Sequence, residues 1–290
     1  MDREIWKRLL AAVRSADRRV VRSGRRPTYS DQQIVKMLLW TIWHDRPMCW
    51  ACQGSHYTTM YRPRQLPSVS QFSRRVRSER ITAMLRCVHG YLAGGGGPSK
   101  LSFLDGKPLP VSDYSRDPDA RDGYATGCMR RGYKLHAWAT EDGQIPLFVV
   151  RPLNESEPKV ARQLVAHIPP GHLVLGDGNY DSAILYQLVA QGHSQLLTPL
   201  KGRSRTAPRL RRMGESRRRA ITLWDSSPQQ CLALGKKRVE IERIFSALCC
   251  FGGGLAPLPH WVRRLPRVER WVTAKLAIYH ARLLWRKNVA

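Results

Sequence analysis

Ile5, Leu9, Ala12 and Val13 recur at helical spacing, which predicts a helix over residues 1–22. Gly24-Arg25-Arg26-Pro27 breaks it. Ser30 followed by Gln33 reads as a capping box opening a second helix that runs to His44, and Asp45-Arg46-Pro47 ends that one. A third helical stretch is predicted from Ser70 to Leu92, exposing Arg74, Arg75, Arg77 and Arg80. Short basic helices joined by turns suit a DNA-end-binding domain; the alternative is a solvated basic face.

Gly94 to Gly97 with Pro98 mark a domain boundary, and the periodicity then changes. Leu101-Ser102-Phe103-Leu104 reads as a short strand ending at Asp105. Tyr133–Trp138 and Ile145–Val150 read as two strands around the turn Glu141-Asp142-Gly143. A helix over Pro158–His167, a strand over His172–Leu175 ending at Asp177, a helix over Ala183–Ala190 and a strand over Gln195–Thr198 follow. Three strands, helix, strand, helix, strand imply an α/β domain with a mixed sheet. Residues 201–219 read as a basic loop against DNA or a solvated charge run, with nine basic side chains and one acidic. Arg238–Cys250 is predicted as a helix closed by Gly252-Gly253-Gly254, and Arg267–Trp285 as an amphipathic helix with Trp271, Ala274, Ile278 and Leu283 inward. The expected domains are therefore a helical one over 1–93, a linker over 94–100, and a second domain over 101–290.

Charge changes the picture. The 290 residues carry a formal net charge of +27, a balance that points to a polyanionic partner. Residues 1–100 have 19 basic and 6 acidic side chains, 101–200 have 9 and 11, and 201–290 have 21 and 5. An acidic island between basic flanks suggests bound cations mediating between carboxylates and phosphate. Hydrophobic residues make up 42%, a globular composition. No apolar run reaches membrane-spanning length, and the charged N-terminus is unlike a secretory signal, so a cytoplasmic location is expected. Seven cysteines in such a protein read as free thiols. Cys49, Cys52 and His56 stand open as half a zinc site or as packing residues. Walker-type phosphate loops are absent, which argues against an ATP-driven enzyme.

Asp105 and Asp177 each end a predicted strand and each precede a glycine. Carboxylates at strand ends can coordinate hard divalent cations, and glycine lets a ligand backbone approach. Taken alone, Asp-Gly after a strand is more often a turn. The segment Lys236-Lys237-Arg238-Val239-Glu240-Ile241-Glu242-Arg243-Ile244-Phe245 adds weight. At about 100° per residue, positions 235, 238, 242 and 249 share one helical stripe, while Ile241, Ile244, Phe245 and Leu248 form a separate apolar face. Periodicity alone does not choose between Glu240 and Glu242.

Arg238, Glu242, Arg243 and Phe245 resemble the Arg-x-x-x-Glu-Arg-x-Phe helix of the DDE-type insertion-sequence transposases. Asp105-Gly106-Lys107-Pro108-Leu109 and Asp177-Gly178-Asn179-Tyr180-Asp181-Ser182 are similar to the family's first and second aspartate elements. Gly132-Tyr133-Lys134-Leu135-His136 is similar to its intervening strand. The likeness spans roughly residues 100–285. It departs from the pattern at Gly235 and Cys249, where the family has Tyr and Lys.

The resemblance implies an RNase H-like mixed sheet flanked by helices, preceded by a small all-helical domain. It implies Asp105, Asp177 and Glu242 as catalytic, metal-holding residues, with Glu242 chosen over Glu240. Two Mg²⁺ ions are implied, with Mn²⁺ able to substitute, roughly 4 Å apart. Arg238, Arg243, Lys236, Lys237, Arg74, Arg75 and Arg77 are the expected DNA-binding residues. The implied partner is double-stranded DNA, transposon inverted repeats and target, with a homodimer in the synaptic complex of a prokaryotic, nucleoid-associated protein. The expected activity is end cleavage followed by joining of the 3′-OH to target DNA. A domesticated DNA-binding protein and a non-mobile nuclease of the same fold are the competing readings. Asp113, Asp117, Asp119 and Asp122 read as solvated loop acids, Asp181 as a helix cap, and Lys134 and His136 as core or DNA-facing residues.

Overall fold

A computed structural model describes residues 2–21, 27–94, 99–125, 127–201, 213–251, 254–255 and 257–288. The predicted breaks at Gly24-Arg25-Arg26-Pro27, Gly94–Pro98 and Gly252-Gly253-Gly254, and the centre of the basic segment 201–219, lie wholly or mostly outside the described residues. The chain divides into two compact units, one of Met1–Gly95 with Leu248–Ala290 and one of Gly96–Ala247. The C-terminal stretch thus belongs with the N-terminal helices, where the sequence suggested a second domain running unbroken to the end. No helix among the described residues is long and apolar enough to cross a membrane.

The first unit is helical: α1 (Arg3–Arg19), α2 (Asp31–Trp43), α3 (Val69–Val76) and α4 (Glu79–Ala93) pack with a long C-terminal helix, Leu265–Lys287. Asp2 caps α1 and Ser30 caps α2, as its spacing to Gln33 predicted. The single helix expected over Ser70–Leu92 is two. Ser68 and Gln71 form a complete capping box for α3, and Ser78 caps α4, so the chain restarts where the side chain of Ser78 takes the N–H of Ile81.

That break changes what the arginines do. Asp31, buried at the start of α2, accepts from both Arg75 and Arg80. Arg80 also donates to the carbonyls of Val20 and Val21, closing the end of α1, and pairs with Asp17 at 3.3 Å. Arg75 and Arg80 are internal ties of the helical unit, whereas Arg74 and Arg77 face solvent.

The C-terminal helix is not amphipathic over its middle. Every residue from Trp271 to Ala281 is buried, Thr273, Lys275 and His280 included. A helix buried all round is a core helix, which explains why this stretch joins the N-terminal unit. Burial lowers the Lys275 pKa, and Asp45 opposes the shift through an ammonium–carboxylate pair at 2.5 Å. Asp45 itself holds a left-handed backbone (φ 49°) just past α2.

The second unit contains a six-stranded mixed sheet: β1 (Leu101–Pro110), β2 (Arg121–Ala125), β3 (Cys128–Thr140), β4 (Leu147–Pro152), β5 (Leu173–Leu175) and β6 (Gln195–Leu197). The long β3 pairs antiparallel with β1 along one edge, and with β2 and then β4 along the other. β5 and β6 continue the sheet beyond β1 in parallel. Helices α5 (Glu157–Val165) and α6 (Ala183–Gln191) follow β4 and β5, and α7 (Glu215–Ser226) and α8 (Pro228–Lys236) follow β6. Leu104, Trp138, Val174 and Leu196 form one core with Leu164, Val165, Leu185 and Val189 of α5 and α6. This is the expected α/β class: a mixed sheet flanked by helices, with further helices preceding it in the sequence.

Two differences matter for the site. β1 does not end at Asp105 but runs to Pro110, because β3 continues to pair with it. Its other neighbour stops at the pairing of Phe103 with Leu175. Beyond that point one edge of β1 has no strand partner among the described residues, which is where Pro108 and Pro110 are tolerated. The acids between Asp113 and Asp122 also do more than line a loop. Asp122 lies in β2, and Asp117 is buried and accepts from the Tyr133 hydroxyl at 2.8 Å.

The Lys275–Asp45 pair yields a test of packing. Asp45→Asn keeps a residue that tolerates positive φ but removes the charge facing a fully buried ammonium. Because Asp45 is partly exposed, a loss of about 2–3 kcal/mol is expected, at the low end for a broken buried pair. Lys275→Met, which removes the buried charge at similar volume, should cost less. Urea denaturation of the full chain measures both, and the opposite ranking would show that the pair does not bear on stability in this way.

Candidate active site

The end of the β1–β5 pairing sets the site. Phe103 pairs with Leu175, so two residues further along each chain come Asp105 and Asp177 at matching positions on neighbouring segments. Asp105 remains in β1, and its carboxylate accepts from the backbone N–H of Gly106 at 2.8 Å. Asp177 follows β5 and accepts the N–H of Asn179 at 2.7 Å, which starts a short 3₁₀ turn over Gly178–Tyr180. The carboxyl end of β5, where its pairing with β1 stops, is the kind of place where an α/β fold leaves room for ligands.

Glu242 arrives on a helix, α9 (Val239–Cys249), whose buried face is Ile241, Ile244, Phe245 and Leu248, as the apolar spacing predicted. Arg238 precedes its first residue and does not share a continuous helix with Gly235. The bonds Arg238 N–H to Gly235 O and Ile241 N–H to Arg238 O mark a tight turn between α8 and α9. The i,i+4 relation to Glu242 survives that turn. One guanidinium nitrogen of Arg238 lies 3.5 Å from Glu242 Oε1 and the other 3.8 Å from Asp105 Oδ2. Arg238 is therefore the link between the strand acid and the helix acid. Arg243 instead pairs with Glu240 at 2.5 Å, on the exposed side.

Electrostatics single out Asp105. Burial raises its carboxyl pKa, the Gly106 N–H and Arg238 oppose the rise, and Asp177 and Glu157 add to it, leaving it pushed up to about 6. Glu242, with a side chain 60% exposed, stands at the open rim. Carboxylate oxygens around a buried acid with a raised pKa form a donor set suited to a hard divalent cation. Among the described residues no three such side chains stand close enough to hold an ion, and Arg238 lies within 4 Å of both Asp105 and Glu242. Their oxygens are nevertheless the donor type that a hard divalent cation takes.

Two glycines serve a different purpose from the one expected. A Cβ on Gly106 would lie 2.8 Å from Lys134 Cδ and 3.0 Å from Glu157 Oε1, so glycine admits those two side chains beside Asp105. Gly178 likewise faces the Lys201 side chain. Lys134, left open by the sequence, donates to Glu157 at 2.8 Å. His136 is buried, with its pKa lowered to about 4 by burial, then by Lys134.

Asp181 is not a helix cap. Its fully buried carboxylate accepts the Lys201 N–H at 2.6 Å and two bonds from Arg217 at 3.1 and 2.8 Å. It thereby anchors both borders of the basic segment, and from Glu215 onward that segment is helix α7, not loop. Lys236 is exposed, and Lys237 lies 3.6 Å from Glu141. Cys49, Cys52 and His56 are not gathered as metal ligands: His56 stacks on Trp50, and the Cys52 thiol points to the Met48 carbonyl.

Residues 96–279 match a family model described as the transposase DDE domain. The chain belongs to that family. Among solved structures, this DDE transposase chain is similar to a piggyBac transposase synaptic complex with hairpin DNA, at 9% identity and a TM-score of 0.48. That match covers 99% of this chain and 73% of the other. It is also similar to a Mos1 transposase paired-end complex with the left transposon end, at 11% identity and a TM-score of 0.21, covering 74% and 82%. No curated protein matches its sequence.

The raised Asp105 pKa predicts a pH dependence. A carboxyl whose folded pKa exceeds its unfolded value contributes stability below the unfolded pKa, and that contribution is lost as pH rises through about 6. In chelator-treated protein, Asp105→Asn should therefore be more stable than the parent at pH 8, by about 1–3 kcal/mol. The difference should close below about pH 4. Denaturant melts across that range decide it, and a variant less stable than the parent at pH 8 would contradict the burial argument.

Proposed function

We propose that this DDE transposase cuts DNA at transposon ends and joins the freed 3′-OH to target DNA, with Asp105, Asp177 and Glu242 as its catalytic residues. The observation that carries the proposal is the Arg238 bridge. A guanidinium shared by a buried strand acid and a rim helix acid keeps one positive charge beside these carboxylates, and the family generally uses divalent ions. When bound, two Mg²⁺ or Mn²⁺ ions supply activation of the attacking water and stabilisation of the leaving oxygen. Asp105, held in β1, and Asp177, held by the turn that follows β5, would supply the rigid part of the ligand set. Glu242 would add a further oxygen from its exposed helix position, and Arg238, displaced by the ions, would be available to a phosphate.

DNA is the proposed partner, consistent with the DNA complexes formed by the two transposases above and with a net charge of +27. Exposed Arg74 and Arg77, rather than Arg75, are the proposed contacts on the helical unit, and Lys236, Lys237 and Arg243 those beside the site. Phosphate contacts of this kind make affinity fall steeply with salt. Two copies on paired ends form the proposed synaptic assembly.

Glu242→Gln should abolish cleavage of a duplex carrying the element's own terminus while leaving DNA affinity within about twofold, since the side chain is exposed and the change is isosteric. Glu240→Gln, which removes only a surface partner of Arg243, should cut at close to the parent rate. Gel assays of cleavage and binding on the same duplex read both. Equal loss from the two variants would mean that the helix register of the site is wrong.

A further inference from the structure

A fourth acid stands beside the aspartate pair, and the sequence motifs did not single it out. Glu157 opens α5, and its side chain is only 13% exposed. Its Oε1 accepts from Lys134 Nζ at 2.8 Å and its Oε2 from Asn179 Nδ2 at 3.2 Å. Asn179 is in turn joined twice to Asp177: its backbone N–H donates to Oδ1 at 2.7 Å and its Nδ2 lies 3.5 Å from Oδ2. Lys201 Nζ donates to Asn179 Oδ1 at 2.7 Å. With a cation on its oxygen and carboxylates on its nitrogen, the amide has only one chemically consistent orientation.

We propose that Glu157 is a positioning residue for the aspartate pair, holding Asp177 through Asn179 and the flank of Asp105 through Lys134. The inference rests on the reading of Asp105, Asp177 and Glu242 as the cleavage site. On the Asp177 side, the Asn179 amide is clamped between two carboxylates, so Asp177 is limited in its rotation. On the Asp105 side, Glu157 Oε1 stands 3.0 Å from where a Gly106 Cβ would be, against the backbone that follows Asp105. Lys134 neutralises Glu157, so a further carboxylate is accommodated beside a pair that already repels. A simple tie between α5 and β3 would need only Lys134 and Glu157; the link onward to Asp177 is what that role leaves unexplained.

Glu157→Gln is isosteric, but its amide nitrogen would face a donor on Lys134 or Asn179, so the relay breaks without a cavity. Asn179→Ala breaks it from the exposed side, where folding is not at risk. Full-length variants are compared in two readouts: Mn²⁺-induced rise in Tm without DNA, and single-turnover cleavage at saturating DNA. Each variant should cleave about 10- to 100-fold more slowly and need correspondingly more Mn²⁺ for half its thermal shift, as expected when a partner of a metal ligand is lost. DNA affinity should not change. Asp177→Asn is the control for the underlying reading. If it loses the Mn²⁺ response while Glu157→Gln and Asn179→Ala keep the parent's, the positioning role is overturned and the site stands. If Asp177→Asn also keeps it, the site reading fails. Should Glu157→Gln not fold, Asn179→Ala alone decides, and a parent-like Mn²⁺ dependence there overturns the proposal.

Discussion

Asp105 is an acid buried next to other acids, and the second unit is organised around the cost of that placement. Opposite charges about 4 Å apart at an effective dielectric of 20 attract by about 4 kcal/mol, and like charges repel by as much. Arg238 offsets that repulsion from one side and Lys134, through Glu157, from the other. Neither could reach without the backbone around Asp105: β5 stops after Leu175, leaving β1 an open edge, and Gly106 offers no Cβ to block Lys134 and Glu157. The strands fix two aspartates, the α8–α9 turn delivers Arg238, and Glu242 follows one helical turn later.

The same cost recasts the acidic middle of the chain. Its excess of carboxylates suggested bound cations, yet several are already matched by bases. Asp113 pairs with Arg130, Asp122 with Arg131, Glu157 with Lys134, Asp181 with Arg217, and Glu141 with Lys237. Among the described residues, Asp177 instead accepts from the backbone N–H and side-chain amide of Asn179, and Asp105 shares the Arg238 guanidinium with Glu242.

Much of this was legible from residue patterns, for identifiable reasons. Ser30 with Gln33, the apolar run Leu101–Leu104 and the Ile241-Ile244-Phe245-Leu248 face are local signals, and local hydrogen bonds or one buried face decide those elements. What was hidden depends on partners distant in sequence. β1 continues past Asp105 because β3 lies beside it, and Asp117 is buried because Tyr133 reaches it. The C-terminal helix reads as amphipathic through Lys275 and His280, yet neighbours surround both. Helix α7 opens with Glu215 and three arginines, Arg217 to Arg219, whose charge masks the Ala220-Ile221 contact that seats it. Glu157 gave no motif signal; its neighbours Lys134 and Asn179 lie 23 and 22 residues away.

The central claim is that Arg238 holds the place of divalent cations among Asp105, Asp177 and Glu242. A crystal structure of the full chain with Mn²⁺, located by anomalous scattering, tests it most directly. The account predicts manganese bound by oxygens of Asp105, Asp177 and Glu242, with the Arg238 guanidinium turned away from both Asp105 and Glu242. Manganese bound elsewhere, or a site in which Arg238 still bridges Asp105 and Glu242 at saturating metal, would contradict it.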